Sequence, residues 1–245
     1  MSEVSALTRT EAVLMVREPA ALAFVVVLPL GLLLALGLLL DPADPASTTS
    51  RDSAAFAPAL AVALLLGVVG FFSLPSTLVL HRETGVLRRL STTPASPGAL
   101  LLAQLVVHLA AVLVTTTALA VATLTVVGLP VPASPGTALL VTALGVLALL
   151  AVGLLIAAIS PSVRANAVLG PALLMPVLFL AGVWVPLEAL PGWLEVVGLH
   201  SPLGALVDGL LHAWAGVPVP ASQLLAPAGT ALVAGAVAVR AFSWE

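Results

Sequence analysis

The 245-residue chain is 61% hydrophobic and 8% charged, with a mean hydropathy of +1.23; a soluble domain carries about 25% charged residues, so a soluble globular class is excluded. Its eight basic residues are all arginine, against eleven acids, and the formal charge of −3 means little as a total because the charges are sorted by side. With no cysteine there is no disulfide and no thiolate metal site, and with no lysine there is no P-loop, whose lysine must reach the β- and γ-phosphates, so any ATP chemistry belongs to another polypeptide.

Residues 1–19 precede the first apolar run and contain Glu3, Glu11 and Glu18, which argues against a signal peptide. They are expected to form a cytoplasmic helix lying on the membrane. Val4, Leu7, Leu14 and Met15 share a face, but Glu11 and Glu18 fall on it too. A helix that only anchors in lipid would avoid that, whereas one packed on a protein partner could use the carboxylates.

Crossing the hydrocarbon core as a helix takes about 20 apolar residues. Six stretches qualify: 20–40, 56–80, 99–129, 137–159, 165–185 and 222–239. The third is longer than a bilayer needs and is expected to start in the cytoplasm or to tilt. Pro29, Pro75, Pro171 and Pro176 are expected to kink their helices. The connections are punctuated by Asp41-Pro42-Ala43-Asp44-Pro45, Pro94 to Pro97, Pro130 to Pro135, Ser160-Pro161 and Pro186 onward.

Six spans put both termini on one side, together with Arg9, Arg17, Arg82, Arg88, Arg89, Arg164 and Arg240; the other side holds only Arg51. The positive-inside rule then makes the termini cytoplasmic. Asp41, Asp44, Asp52, Glu188, Glu195 and Asp208 lie on the Arg-poor side. A seventh span over 199–215 would bury Asp208 near the bilayer centre, at about 2.5 to 3.5 kcal/mol, and would strand Arg240 outside. The segment 186–221 therefore reads as two short external helices, with Trp184, Trp193 and Trp214 at the outer interface and Trp244 at the inner one. The composition, rich in Ala, Leu, Val, Pro and Arg, points to a high-GC bacterial gene and hence to the bacterial cytoplasmic membrane.

Within the spans, His108 and Gln104 lie one turn apart on the third. An intramembrane ionisable group is a functional candidate, but a neutral histidine bonded to a neighbouring helix is the better reading, since no acid sits in any span. Thr115, Thr116, Thr117, Thr123 and Thr125 read as helix–helix contacts. The histidines at 81, 108, 200 and 212 form no metal-ligand spacing, and HExxH and GxSxG are absent. Asp208 and His212, at i,i+4, can meet on one helix.

Four segments carry a resemblance. They are Arg17-Glu18-Pro19; His81-Arg82-Glu83-Thr84-Gly85-Val86-Leu87-Arg88-Arg89-Leu90-Ser91-Thr92-Thr93-Pro94-Ala95-Ser96; Phe179 to Leu194; and His200 to Gly209. In this order they resemble type-2 ABC exporter permeases, the class that includes drug, polysaccharide and lipid-linked exporters. His200-Ser201 departs from the asparagine more usual before that proline. The resemblance implies an all-α protein of six transmembrane helices working as a dimer, the second permease chain identical, in the lipid bilayer with two copies of an ABC ATPase subunit that holds ATP and magnesium. It also implies that the 81–98 loop and the N-terminal helix carry the ATPase movement into the spans. Coupling contacts then fall to Arg82, Glu83, Thr84, Arg88, Arg89, Arg17 and Glu18, with Gly85 permitting a sharp turn. Asp208, His212, Pro202 and Gly182 are expected to form an external gate, and Gln104 and His108 to border a pathway. The chain itself is expected to need no cofactor, to bind no nucleic acid and to catalyse nothing. An ATPase-independent secondary transporter or channel, and a non-transporting assembly or immunity protein, stay open as alternatives; an ATPase gene beside this one would discriminate.

Overall fold

The computed structural model describes residues 3–39, 55–85, 97–185 and 187–241, and they are almost entirely helical. A first helix, α1 (Glu3–Arg17), precedes six helices long and apolar enough to cross a membrane. These are α2 (Pro19–Leu38), α3 (Phe56–Glu83), α4 (Gly98–Val127), α5 (Pro135–Ile159), α6 (Val163–Leu180) and α9 (Ala221–Ala241). Between α6 and α9 lie two short helices, α7 (Gly192–His200) and α8 (Pro202–Ala215). The chain is a multi-pass, all-α membrane protein. Local chemistry sets the ends: Pro135 opens α5 in the first turn, Ser162 caps α6 by accepting the Ala165 N–H, and Gly128, in the left-handed region, ends α4.

Helix α3 is the axis of the bundle. In its most apolar window 83% of residues are buried within the chain, against 17% in α9. Lipid tails are as apolar as leucine, so close backbone approach rather than hydrophobic expulsion has to hold such helices together. Ala57, Ala59, Ala61 and Ala63 accordingly face the interior with no exposed surface.

Of the four prolines expected to kink their helices, two, Pro29 and Pro75, follow a widened turn of their helix. Pro75 has no N–H to give the carbonyl four residues back, and over Val69–Ser73 the helix widens into a π turn in which the Leu74 N–H reaches the Val69 carbonyl. Pro29 is preceded in the same way by a π turn over Ala23–Val27. The turn in α3 lets four consecutive residues meet four different helices. A Cβ on Gly70 would lie 2.6 Å from the Leu149 carbonyl of α5. The Phe71 carbonyl lies against Gly170 of α6, the Phe72 ring sits 5.7 Å from that of Phe24 in α2, and Ser73 reaches His108 of α4.

Helices α7 and α8 bend by 83° at their junction. Helix α8 does not lie on the surface as a solvated cap: Leu203, Ala205, Leu206, Leu210 and Ala213 are buried against α3, α5 and α9. Its end is tied to the α4–α5 connection, where the Ser134 N–H donates to the Ala213 carbonyl (3.0 Å) and the Trp214 indole N–H to the Pro130 carbonyl (3.3 Å). Its beginning follows α7, whose Gly198 packs on the Leu180 carbonyl at the end of α6. Both ends of the pair therefore lie at the same face of the bundle. It enters and returns, and the six-span plan holds.

Candidate functional site

The end of α3 reads His81-Arg82-Glu83, and each of the three side chains is engaged by a different part of the chain. His81 Nε2 lies 3.3 Å from Glu11 Oε2 of α1. Gln104 of α4 donates to that same carboxylate oxygen at 2.6 Å and stands 3.0 Å from His81 Nε2. Glu11, His81 and Gln104 are all buried. Burial by itself would push the Glu11 carboxyl up, but hydrogen bonds from His81 and Gln104, together with the charge His81 can carry, hold it below its ordinary value. One turn deeper, His108 Nδ1 lies 2.9 Å from the Gln104 carbonyl and Nε2 lies 3.2 Å from Ser73 Oγ. A carbonyl only accepts, so Nδ1 carries the proton, and Nε2 accepts from the serine hydroxyl when the ring is neutral. Gln104 and His108 thus face the interior and join α1, α3 and α4.

Arg82 donates to the carbonyls of Ala157 (3.4 Å) and Ser160, at the end of α5. Glu83 Oε1 accepts the Val163 N–H at 3.1 Å, at the start of α6. Asn166, fully buried, donates to Ser76 Oγ at 2.7 Å and accepts from Ser160 Oγ at 3.3 Å. Thr84 returns its hydroxyl to the Leu80 carbonyl (2.8 Å), and Gly85 then takes φ +69°, in the left-handed region. Arg88 and Arg89 lie outside the described residues. Arg17 and Glu18 are exposed where α1 gives way to α2.

At the opposite face, His212 Nδ1 is 3.2 Å from Asp208 Oδ2, on the part of α8 that enters the bundle. Pro202 opens α8 behind the cap Ser201, whose Oγ accepts the Gly204 N–H at 3.0 Å. Gly182, at φ +81°, turns the chain out of α6 beside Leu187. Of the threonines of α4, Thr115 and Thr123 are buried in the bundle, whereas Thr117 and Thr125 are exposed. Thr117, Thr123 and Thr125 donate to carbonyls one turn back in their own helix instead of to another helix.

Sequence reasoning missed Glu11 as an internal ligand, and it missed Ser73, Ser76, Ser160 and Asn166. Two signals were available. Glu11 lies on the apolar face of its helix, and Asn166 is the chain's single asparagine, placed inside an apolar run.

The junction thus joins α1, the central helix α3, α4 and the α5–α6 turn, and the described residues contain no cluster of metal ligands. A sequence model of the ABC-2 type transporter matches residues 2–214, from the start of α1 to the last turn of α8. The chain belongs to the ABC-2 type transporter family. ABC-2 permeases are membrane transport components, generally not enzymes, and generally work with an ATPase partner. No curated protein is found to match the chain.

Proposed function

We propose that this ABC-2 chain is the permease of an ATP-driven exporter in a bacterial cytoplasmic membrane, with both termini in the cytoplasm. Two copies form the export path between them, and two copies of a separate ATPase hold ATP and magnesium. The observation that carries this reading is the junction at the end of α3, where the Arg-rich loop leaves a helix already fastened to α1, α4, α5 and α6. Arg88 and Arg89, with Arg17 and Glu18 at the exposed end of α1, meet the ATPase. Thr84 and Gly85 set the direction in which the loop departs. ATP binding closes the ATPase pair, and α3 passes the displacement along the bundle. At the far face the α7–α8 hairpin, with Asp208, His212, Pro202 and Gly182, closes the path.

The test is purification of the tagged chain from its native host, with mass spectrometry of what accompanies it. An ABC ATPase should co-purify, ATP hydrolysis should require both chains, and vesicles should export only with both present. Substrate movement by the permease alone, driven by an ion gradient, would replace this reading with a secondary transporter.

A further inference from the structure

Arg82 and Glu83 are adjacent, yet they engage opposite ends of two different helices. The last carbonyls of a helix have no intrahelical donor and carry partial negative charge; the first N–H groups lack acceptors and carry partial positive charge. Helix α5 ends at Ile159, and the Arg82 guanidinium donates to the carbonyls of Ala157 and Ser160. Helix α6 begins at Val163, and the Glu83 carboxylate accepts that residue's N–H. Each charge meets the helix end of opposite sign. In the reverse order the carboxylate would face carbonyls and the guanidinium would face N–H groups. Asn166 adds a third tie to α3 through Ser76 and also joins the two sides of the turn through Ser160.

We propose that Arg82 and Glu83 are positioning residues that fasten the α5–α6 turn to the end of α3, so that one displacement of that end moves both helices together. Both side chains are taken up by the chain's own backbone, Arg82 half-buried and Glu83 exposed, where sequence alone assigns them to the ATPase surface. The proposal rests on the coupling reading above but assigns a different task to these two side chains. Engagement with backbone makes the order Arg-Glu matter, which a surface ion pair with a partner would not require.

The test uses the full chain with its ATPase in lipid nanodiscs. Variants are Arg82→Leu with Glu83→Leu, the exchange Arg82→Glu with Glu83→Arg, and Glu83→Gln, which keeps the acceptor and removes the charge. Amide exchange over 157–166 should accelerate ~10-fold or more in the first two, as expected for loss of hydrogen bonds to charged groups. It should stay near wild type in Glu83→Gln. A spin label on Arg164→Cys, the only cysteine, should change mobility on ATP binding in the wild-type background and in Glu83→Gln, but not in the leucine pair, while ATPase recruitment stays unchanged in all. Unaltered exchange over 157–166 in the leucine pair overturns the proposal, and so does loss of ATPase recruitment on Glu83→Gln. Should the pair fail to insert, Glu83→Leu alone gives the same two readings. A wild-type chain that recruits no ATPase sinks the coupling reading instead, while the exchange measurement still decides the fastening.

Discussion

Glu11 is the residue whose role is hardest to see from sequence. An acid on the apolar face of α1 predicts either poor lipid anchoring or a protein contact, and the contact turns out to be within the chain, on His81 and Gln104. Periodicity could place Glu11 on that face, but pairing it with residues 70 and 93 positions away needs the tertiary structure. Glu11→Leu leaves two buried polar side chains without their partner, and should lower the unfolding free energy by about 1–3 kcal/mol. Glu11→Gln, which still offers an oxygen to Gln104, should lose less; thermal unfolding in detergent checks both. The pH dependence follows from the lowered carboxyl. A depressed folded pKa stabilises the native state above the unfolded value and loses that contribution as pH falls through the folded one. This contribution to α1 docking should therefore disappear in acid below the ordinary glutamate range, with Glu11→Gln abolishing the acid step.

At the scale of elements, the number and order of the spans were legible, because hydropathy runs of about 20 residues have few alternative readings in lipid. The π turns were not. Pro29 and Pro75 announce a disturbance, but the sequence does not say whether a helix bends or widens, and that depends on what packs beside it. In α3 the neighbours are backbone: a Cβ on Gly170 would lie 2.5 Å from the Phe71 carbonyl, and one on Gly153 would lie 2.8 Å from the Gly70 carbonyl. Gly170→Ala and Gly153→Ala should each destabilise by about 1–3 kcal/mol through overpacking. Gly229→Ala in α9, where nothing stands within 4 Å, should be neutral or stabilise by up to about 1 kcal/mol. Equal losses at all three sites would mean that close backbone approach is not what holds α3.

For the whole molecule, the arginine distribution proposes an orientation that labelling can decide. Single cysteines at 88 and 164 should be protected from an impermeant external reagent, and those at 47 and 195 should react. The α7–α8 hairpin was legible as two helices and as an Asp208–His212 pair. That α8 sinks into the bundle was not, because its apolar face is as compatible with lipid as with α3 and α5. Asp208→Asn should impair export while leaving expression and ATPase recruitment intact; wild-type export would reduce the hairpin to a passive cover. The four-way contact of residues 70–73 also constrains how the protein is made. During synthesis α3 enters the bilayer with only α2 beside it, and Gly170, the partner of Phe71, follows about a hundred residues later. Until then this turn is bathed in lipid, its glycine surface bare. The bundle can close around α3 only after α6 has been delivered, so chains stopped before residue 170 should keep α3 open to lipid-phase photolabels.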